Sequence, residues 1–199
     1  MTHTVRRVVV LCLSGLGILA CSDFQTEADE SPAKVMSVEA EDFKCIQDMT
    51  PVRGFFVDNL NDNLEGTLKT ARSETGGVYP AGSVVQLVPT EAMIKRDAGF
   101  DPATNDWEFL ELLVSREGTT INVRGSADVV NRFGGNCLEC HEKAEPQWDL
   151  ICENDHGCDP IPLTPDMTRA IQKTDPRCAP MPLTEDEMEA LKILMESMG

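Results

Sequence analysis

The sequence predicts an α+β domain in which an antiparallel sheet of about four or five strands is followed by a helical C-terminal part. The sheet is indicated by short segments that are apolar or that alternate between apolar and polar residues, with Gly, Pro, Asn and Asp between them. The predicted strands are residues 54–57, 66–71, 107–114 and 119–123, together with the segment 78–88, in which a turn at 80–82 precedes the strand pattern of 83–88. A helix-like segment, 126–133, then leads to a cysteine pair.

Two helices are predicted after residue 160. Thr164 followed by Pro165 is a typical helix start, and that helix should end before Asp175. For the last helix, Thr184 and Glu187 have the spacing of a capping box. We expect the helically spaced apolar residues that follow to face the core, namely Met188, Leu191, Leu194, Met195 and Met198.

The first twenty residues read as an export signal, because Arg6 and Arg7 precede an apolar segment too short and too rich in glycine to span a membrane well. The segment ends in Ile-Leu-Ala-Cys, which looks like a bacterial lipobox with Cys21 as the acylated residue. The alternative is an ordinary signal peptide cleaved near Ala20. Ser22 after the cysteine favours the outer membrane, with the protein facing the periplasm.

Residues 21–42 predict a flexible acidic tether, which leaves 43–199 as one folded domain. The chain has 17 basic and 34 acidic residues, a net charge of −17. Cleavage after Ala20 removes two arginines and no acids, so the mature net charge is −19. Such a charge argues against nucleic acid as a target and favours a partner with a basic docking patch.

The cysteines divide into groups by position. Cys12 lies in the signal, Cys21 is the lipidation candidate, and Cys137 and Cys140 form one close pair. Because the protein is expected to be exported, the remaining four predict two disulfides whose pairing the sequence leaves open. These four are Cys45, Cys152, Cys158 and Cys178.

The segment Cys137-Leu138-Glu139-Cys140-His141 has the spacing of c-type haem attachment. Two thiols on one helical turn reach the two vinyl groups of one porphyrin edge, and His141 supplies the proximal imidazole to iron. Two alternatives are weaker. A structural zinc site needs a second ligand pair at knuckle spacing, and a thioredoxin-like dithiol lies early in a βαβ unit.

The order of motifs resembles the cytochrome P-460 family, which includes the cytochromes c-prime-beta. The likeness covers about residues 52–152 and leaves 153–199 as an extension. It is carried by YPAGSVV from Tyr79, EAMIKRD from Glu91, NDWEF from Asn105, CLECH from Cys137 and DLI from Asp149. The resemblance implies one haem c on one face of a curved antiparallel sheet, with Cys137 and Cys140 as thioethers and His141 as proximal ligand.

The resemblance also implies an open or apolar sixth position at the iron, able to bind nitric oxide. Members with a lysine–haem cross-link oxidise hydroxylamine, but the matching position here is about Leu87, so that activity is not expected. Lys95 matches a different lysine, which we expect at the surface. Glu91 falls where some members have a pocket carboxylate and is the one catalytic candidate, with a solvated acid as its alternative. Homodimers occur in the family.

The extension suggests a different sixth ligand. The stretch around Met181 looks like the methionine loop of class I cytochromes c, and a thioether ligand there would close the iron to gases. His156 is a further candidate, and an unligated Met181 near a turn is the alternative. The leading hypothesis is a lipid-anchored monohaem cytochrome c that transfers electrons or binds a small ligand. Its rivals are a His/Met electron carrier and an enzyme acting on hydroxylamine or nitric oxide.

Overall fold

The computed structural model describes residues 36–131 and 134–197. Within these residues the chain is an α+β domain with six strands and four α-helices, so the predicted fold class is confirmed. The predicted signal segment and Cys21 lie outside the described residues. Among the described residues, no helix has both the length and the apolar character needed to cross a membrane.

The sheet is open and wholly antiparallel, and its strand order equals the order along the chain. Each strand therefore pairs with the strand that precedes it, as short connections favour. The strands are β1 (Thr50–Val52), β2 (Phe55–Asn59), β3 (Ser83–Gln86), β4 (Glu91–Lys95), β5 (Trp107–Ser115) and β6 (Gly118–Gly125). Six strands replace the four or five predicted, since β1 and β4 were not recognised.

One predicted strand is a helix. Residues 66–71 belong to α1 (Leu64–Ala71), which begins where the Asn63 side chain accepts a hydrogen bond from the Gly66 amide. Their apparent alternation is part of a helical pattern, because Leu64, Leu68 and Ala71 pack together on the core. The prediction of a helix-like segment at 126–131 is also wrong, since these residues form a turn and one bridge between Val130 and Asn136.

Strand alternation divides the apolar residues between two faces. We call one the site face; it carries a cluster built on Val57, Val85, Met93 and Phe109. The rear face carries Val84, Ile94, Leu110 and Leu112 among others, and the N-terminal residues Met36, Val38 and Phe43 pack against it. Met36 and Val38 therefore belong to the folded domain, although the sequence assigned them to the tether.

The C-terminal part consists of α3 (Pro165–Lys173) and α4 (Glu185–Ser197), which pack against each other. The predicted start of α3 is confirmed, because the Thr164 hydroxyl accepts a hydrogen bond from the Met167 amide. Gln172 holds α3 to the sheet by donating to the carbonyls of Gly54 and Leu87, each at 2.8 Å.

Among the described residues, the four cysteines outside the close pair form two disulfides, as predicted. Cys45 bonds to Cys178 and so joins the start of the domain to the segment after α3. Cys152 bonds to Cys158 and closes a short loop directly after the predicted family region.

The buried side of α4 agrees with the prediction at Leu194 but differs from it elsewhere. Glu187, Ala190 and Leu194 are buried, whereas Met188 and Met195 are 52% and 64% exposed. Glu187 tolerates burial because its carboxylate accepts hydrogen bonds from Lys173 Nζ (2.7 Å) and from the Thr184 amide (2.9 Å). The prediction that these two methionines face the core is therefore wrong.

Replacing Thr184 with alanine should lower the free energy of unfolding by about 1 kcal/mol. The Thr184 hydroxyl accepts a hydrogen bond from the Glu187 amide at 3.2 Å, which completes the predicted capping box. Urea denaturation measures the change, and Glu189→Ala on the exposed side of α4 is the control. An equal effect of the two variants would contradict the cap's role.

Candidate haem-attachment site

The CLECH segment forms α2 (Cys137–His141), a single helical turn at the edge of the site face. A tight turn through Gly134, whose φ is 81°, brings the chain back so that the Cys137 amide donates to the Val129 carbonyl at 2.9 Å. The Asn136 side chain then caps the helix by accepting from the Glu139 amide at 3.0 Å. The predicted placement of both thiols on one turn is confirmed.

Cys137 and Cys140 are the two free cysteines among the described residues. Cys137 is half-buried against the apolar cluster of the site face, whereas Cys140 is exposed. Burial, reinforced by the negative charge of Glu91, raises the pKa of the Cys137 thiol to about 11. Because redox dithiols depend on a thiol of lowered pKa, this environment does not favour a thioredoxin-like function.

The alternative of a structural zinc site requires a second pair of cysteine thiolates. Cys152 and Cys158, the nearest second pair along the chain, are joined to each other and cannot offer thiolates. Within residues 36–131 and 134–197, no group of three or more His, Cys, Asp or Glu side chains is arranged to hold a metal ion. The disulfide therefore does not favour the zinc alternative, which needs a second pair of thiolates.

The ring of His141 is held in a defined orientation. Its Nδ1 lies 2.7 Å from the carbonyl oxygen of Leu150, and its centroid lies 5.4 Å from that of the Phe109 ring. A carbonyl only accepts, so Nδ1 carries the proton and Nε2 keeps its lone pair. Burial lowers the pKa of His141, which keeps the ring neutral near pH 7. A neutral imidazole fixed in this way is what iron ligation requires.

The segment behind His141 is held by a buried ion pair. Lys95 Nζ lies 2.8 and 2.9 Å from the two carboxylate oxygens of Asp149, and it also donates to the Asn105 carbonyl. The prediction that Lys95 lies at the surface is wrong. Its ammonium is buried over the Trp107 ring, at 5.1 Å from the centroid, where a carboxylate and an aromatic face replace water.

Two carboxylates lie beside the Cys137 thiol. Glu91 and Glu111 are cross-strand partners on the site face, and the charges of both raise the pKa of Cys137. Asn122 donates to Glu111 at 2.6 Å from a bulge in β6. The structure thus places the catalytic candidate Glu91 at the site, together with a second acid that the sequence did not single out.

Apolar side chains complete this part of the site face. Leu87 packs on the cluster that also holds Cys137 and Leu138. Further along the same face, Leu113 and Val123 are 54% and 38% exposed. An apolar group bound here would shield both side chains from water.

The donor set therefore matches the needs of one covalently attached haem. Two free thiols three residues apart would form the thioethers, and His141 would offer Nε2 to the iron. The neighbouring surface combines apolar side chains, which suit a porphyrin plane, with the carboxylates of Glu91 and Glu111.

The contacts of His156 and Met181, the two candidates for a sixth ligand, do not direct either side chain toward this site. His156 stacks on Trp148 with ring centroids 3.8 Å apart, and its Nδ1 bonds to the Ile151 carbonyl at 2.7 Å. Its Nε2 faces the Glu153 carboxylate at 3.6 Å. Met181 lies in the connection between α3 and α4 and is 41% exposed.

Several residues that support the site were missed from the sequence, namely Lys95, Asn105, Trp107, Tyr79 and Glu111. The signal available for Lys95 was its place at the end of the apolar segment Ala-Met-Ile, where a lysine shares a face with buried residues. The partner Asp149 lies 54 residues later, and sequence pattern alone does not join the two.

Comparisons with models of protein families, with curated proteins and with solved structures find no match for this chain. The resemblance to the cytochrome P-460 family accordingly stays a prediction drawn from its motifs.

Proposed function

We propose that the chain is a monohaem c-type cytochrome that binds haem through Cys137 and Cys140 and ligates its iron with His141. It would be exported, anchored through Cys21 and exposed to the periplasm. Haem held at this site would supply an iron that changes between ferrous and ferric states and can bind nitric oxide or a similar small ligand. Electron transfer and small-ligand binding are the activities that such a site supports.

One observation carries the proposal. The only cysteines of the described residues left unpaired are the two of CLECH, and the adjacent histidine has its Nδ1 bound to a carbonyl. In an exported chain with two disulfides, free thiols need a reason to remain free. Attachment to a cofactor is that reason, and the orientation of His141 adds the metal ligand.

The chain's own residues favour an open sixth position. His156 is engaged by Trp148, Glu153 and the Ile151 carbonyl, and Met181 has an exposed side chain. Apolar residues such as Leu87 line the site in place of a ligand or a cross-linking lysine. We therefore favour small-ligand binding or electron transfer over hydroxylamine oxidation.

The electrostatics favour a cationic partner. The net charge of −19 expected for the cleaved chain attracts a protein with a basic docking patch and accelerates their encounter at low ionic strength. The proposed partner is a redox protein of that kind, and the association rate should fall as salt is added.

Replacing Met181 with leucine should leave both the visible spectrum and nitric oxide binding unchanged. Leucine keeps the apolar volume and removes the thioether, so only an iron–sulfur bond would be lost. Absorption spectra of the oxidised and reduced protein, with and without nitric oxide, measure this, and Met188→Leu is the matched control because Met188 is similarly exposed.

The same spectra decide between the hypotheses. A high-spin wild-type haem that binds nitric oxide supports the proposed site. A methionine–iron charge-transfer band that disappears in Met181→Leu alone would contradict it and support the His/Met carrier.

A further inference from the structure

The carbonyl that accepts from His141 belongs to a segment with an uncommon backbone. Asp149 and Leu150 both have positive φ, at 51° and 64°. Leucine has no special tolerance for the left-handed region, so the surroundings must impose this conformation. The conformation has a specific result, because it directs the Leu150 carbonyl to the Nδ1 of His141 at 2.7 Å.

The contacts that impose this backbone conformation are made by Asp149. Both oxygens of the buried Asp149 carboxylate accept hydrogen bonds from Lys95 Nζ. One of them, Oδ2, also accepts a hydrogen bond from the Tyr79 amide at 2.9 Å. The backbone carbonyl of Asp149 accepts from Trp107 Nε1 at 2.8 Å. Three separate parts of the fold thus fix one residue, whose neighbour holds the proposed iron ligand.

We propose that Asp149 is a positioning residue that sets the donor strength of His141 through the Leu150 carbonyl, with Lys95 and Trp107 as its supports. This inference rests on the proposed function, because it assigns an effect on a haem iron. A strong hydrogen bond from Nδ1–H raises the electron density at Nε2 and so stabilises the ferric state. Removing a contact between Asp149 and Lys95 or Trp107 weakens the hydrogen bond from His141 to the Leu150 carbonyl and so favours the ferrous state.

Two variants each remove a different contact of Asp149. Asp149→Asn keeps the side-chain shape but removes the charge that pairs with Lys95. Trp107→Phe keeps both partners of the ion pair and an aromatic ring in the core, but it removes the indole donor to the Asp149 carbonyl and reduces the ring surface that Lys95 contacts. If the first variant does not fold, the second decides alone.

Asp175→Asn is the matched control. Asp175 forms an equally buried pair with Arg177 and accepts from the Ile46 amide, so its loss is expected to destabilise the fold in the same manner. Its contacts lie with the N-terminal segment and the residues after α3. A purely structural effect on stability would appear in both aspartate variants.

The measurement is the reduction potential of the purified holoprotein, recorded with the free energy of unfolding of each variant. Asp149→Asn and Trp107→Phe should shift the potential upward, and Asp175→Asn should leave it at the wild-type value. Folded Asp149→Asn or Trp107→Phe protein with bound haem and the potential of the control would overturn the inference. A wild-type protein without bound haem would instead contradict the proposed function.

Discussion

A chain in which Cys137 and Cys140 are both replaced by serine should carry no covalently bound haem. Serine has nearly the size of cysteine but cannot form the thioether bonds, so no link to the porphyrin remains. Both positions lie on the single turn of α2, and the serine variant keeps the Asn136 cap that holds the turn. The expected loss is complete, and haem staining of the denatured protein measures it.

The matched control is the replacement of Cys152 and Cys158 by serine. This pair is the nearest cysteine pair to the site, and Cys152 Sγ lies 3.8 Å from the carbonyl oxygen of Cys140. Haem staining should persist in this variant, because Cys152 and Cys158 form a disulfide in the native chain and have no free thiol to attach haem. Loss of staining in the control, with retention in the Cys137/Cys140 variant, would refute the assignment of the attachment site.

Removing the Cys45–Cys178 disulfide should lower the free energy of unfolding by about 5 kcal/mol, against about 2 kcal/mol for Cys152–Cys158. The first bond joins residues 133 positions apart and the second joins residues 6 apart, so they restrict the unfolded chain to very different extents. Both pairs are replaced by serine, and urea denaturation of each variant gives the comparison.

The difference between the two variants is the informative quantity, because the serine substitutions themselves cost a similar amount in each. Cys45–Cys178 also holds the C-terminal helices to the start of the domain, where Asp175 accepts from the Ile46 amide. Equal destabilisation by the two variants would show that loop closure does not govern their contribution.

The strands that the sequence predicted correctly are those with the clearest alternation or apolar character. Residues 107–114 and 119–123 correspond to β5 and β6, and 54–57 corresponds to most of β2. Residues 66–71 were misread because a short stretch fits both periods, and only the Asn63 cap distinguishes them. β4 begins with Glu91, whose charge obscured the strand pattern.

The site was predictable where it depends on local sequence and not where it depends on distant contacts. Five consecutive residues define the thiols and His141, and the disulfide-forming cysteines followed from elimination. The partner of His141 is a backbone carbonyl at Leu150, which no residue type reveals. Lys95 was expected at the surface from the family resemblance, and the paired charge that allows its burial is Asp149, which lies far along the chain.

The most direct test of the central claim is mass spectrometry of the exported protein after denaturation and proteolysis. The account predicts that the mass of one haem stays on the chain, on the peptide that contains Cys137 and Cys140, while Cys45–Cys178 and Cys152–Cys158 are recovered as disulfides. A peptide in which Cys137 and Cys140 carry no added mass and react as free thiols would contradict it.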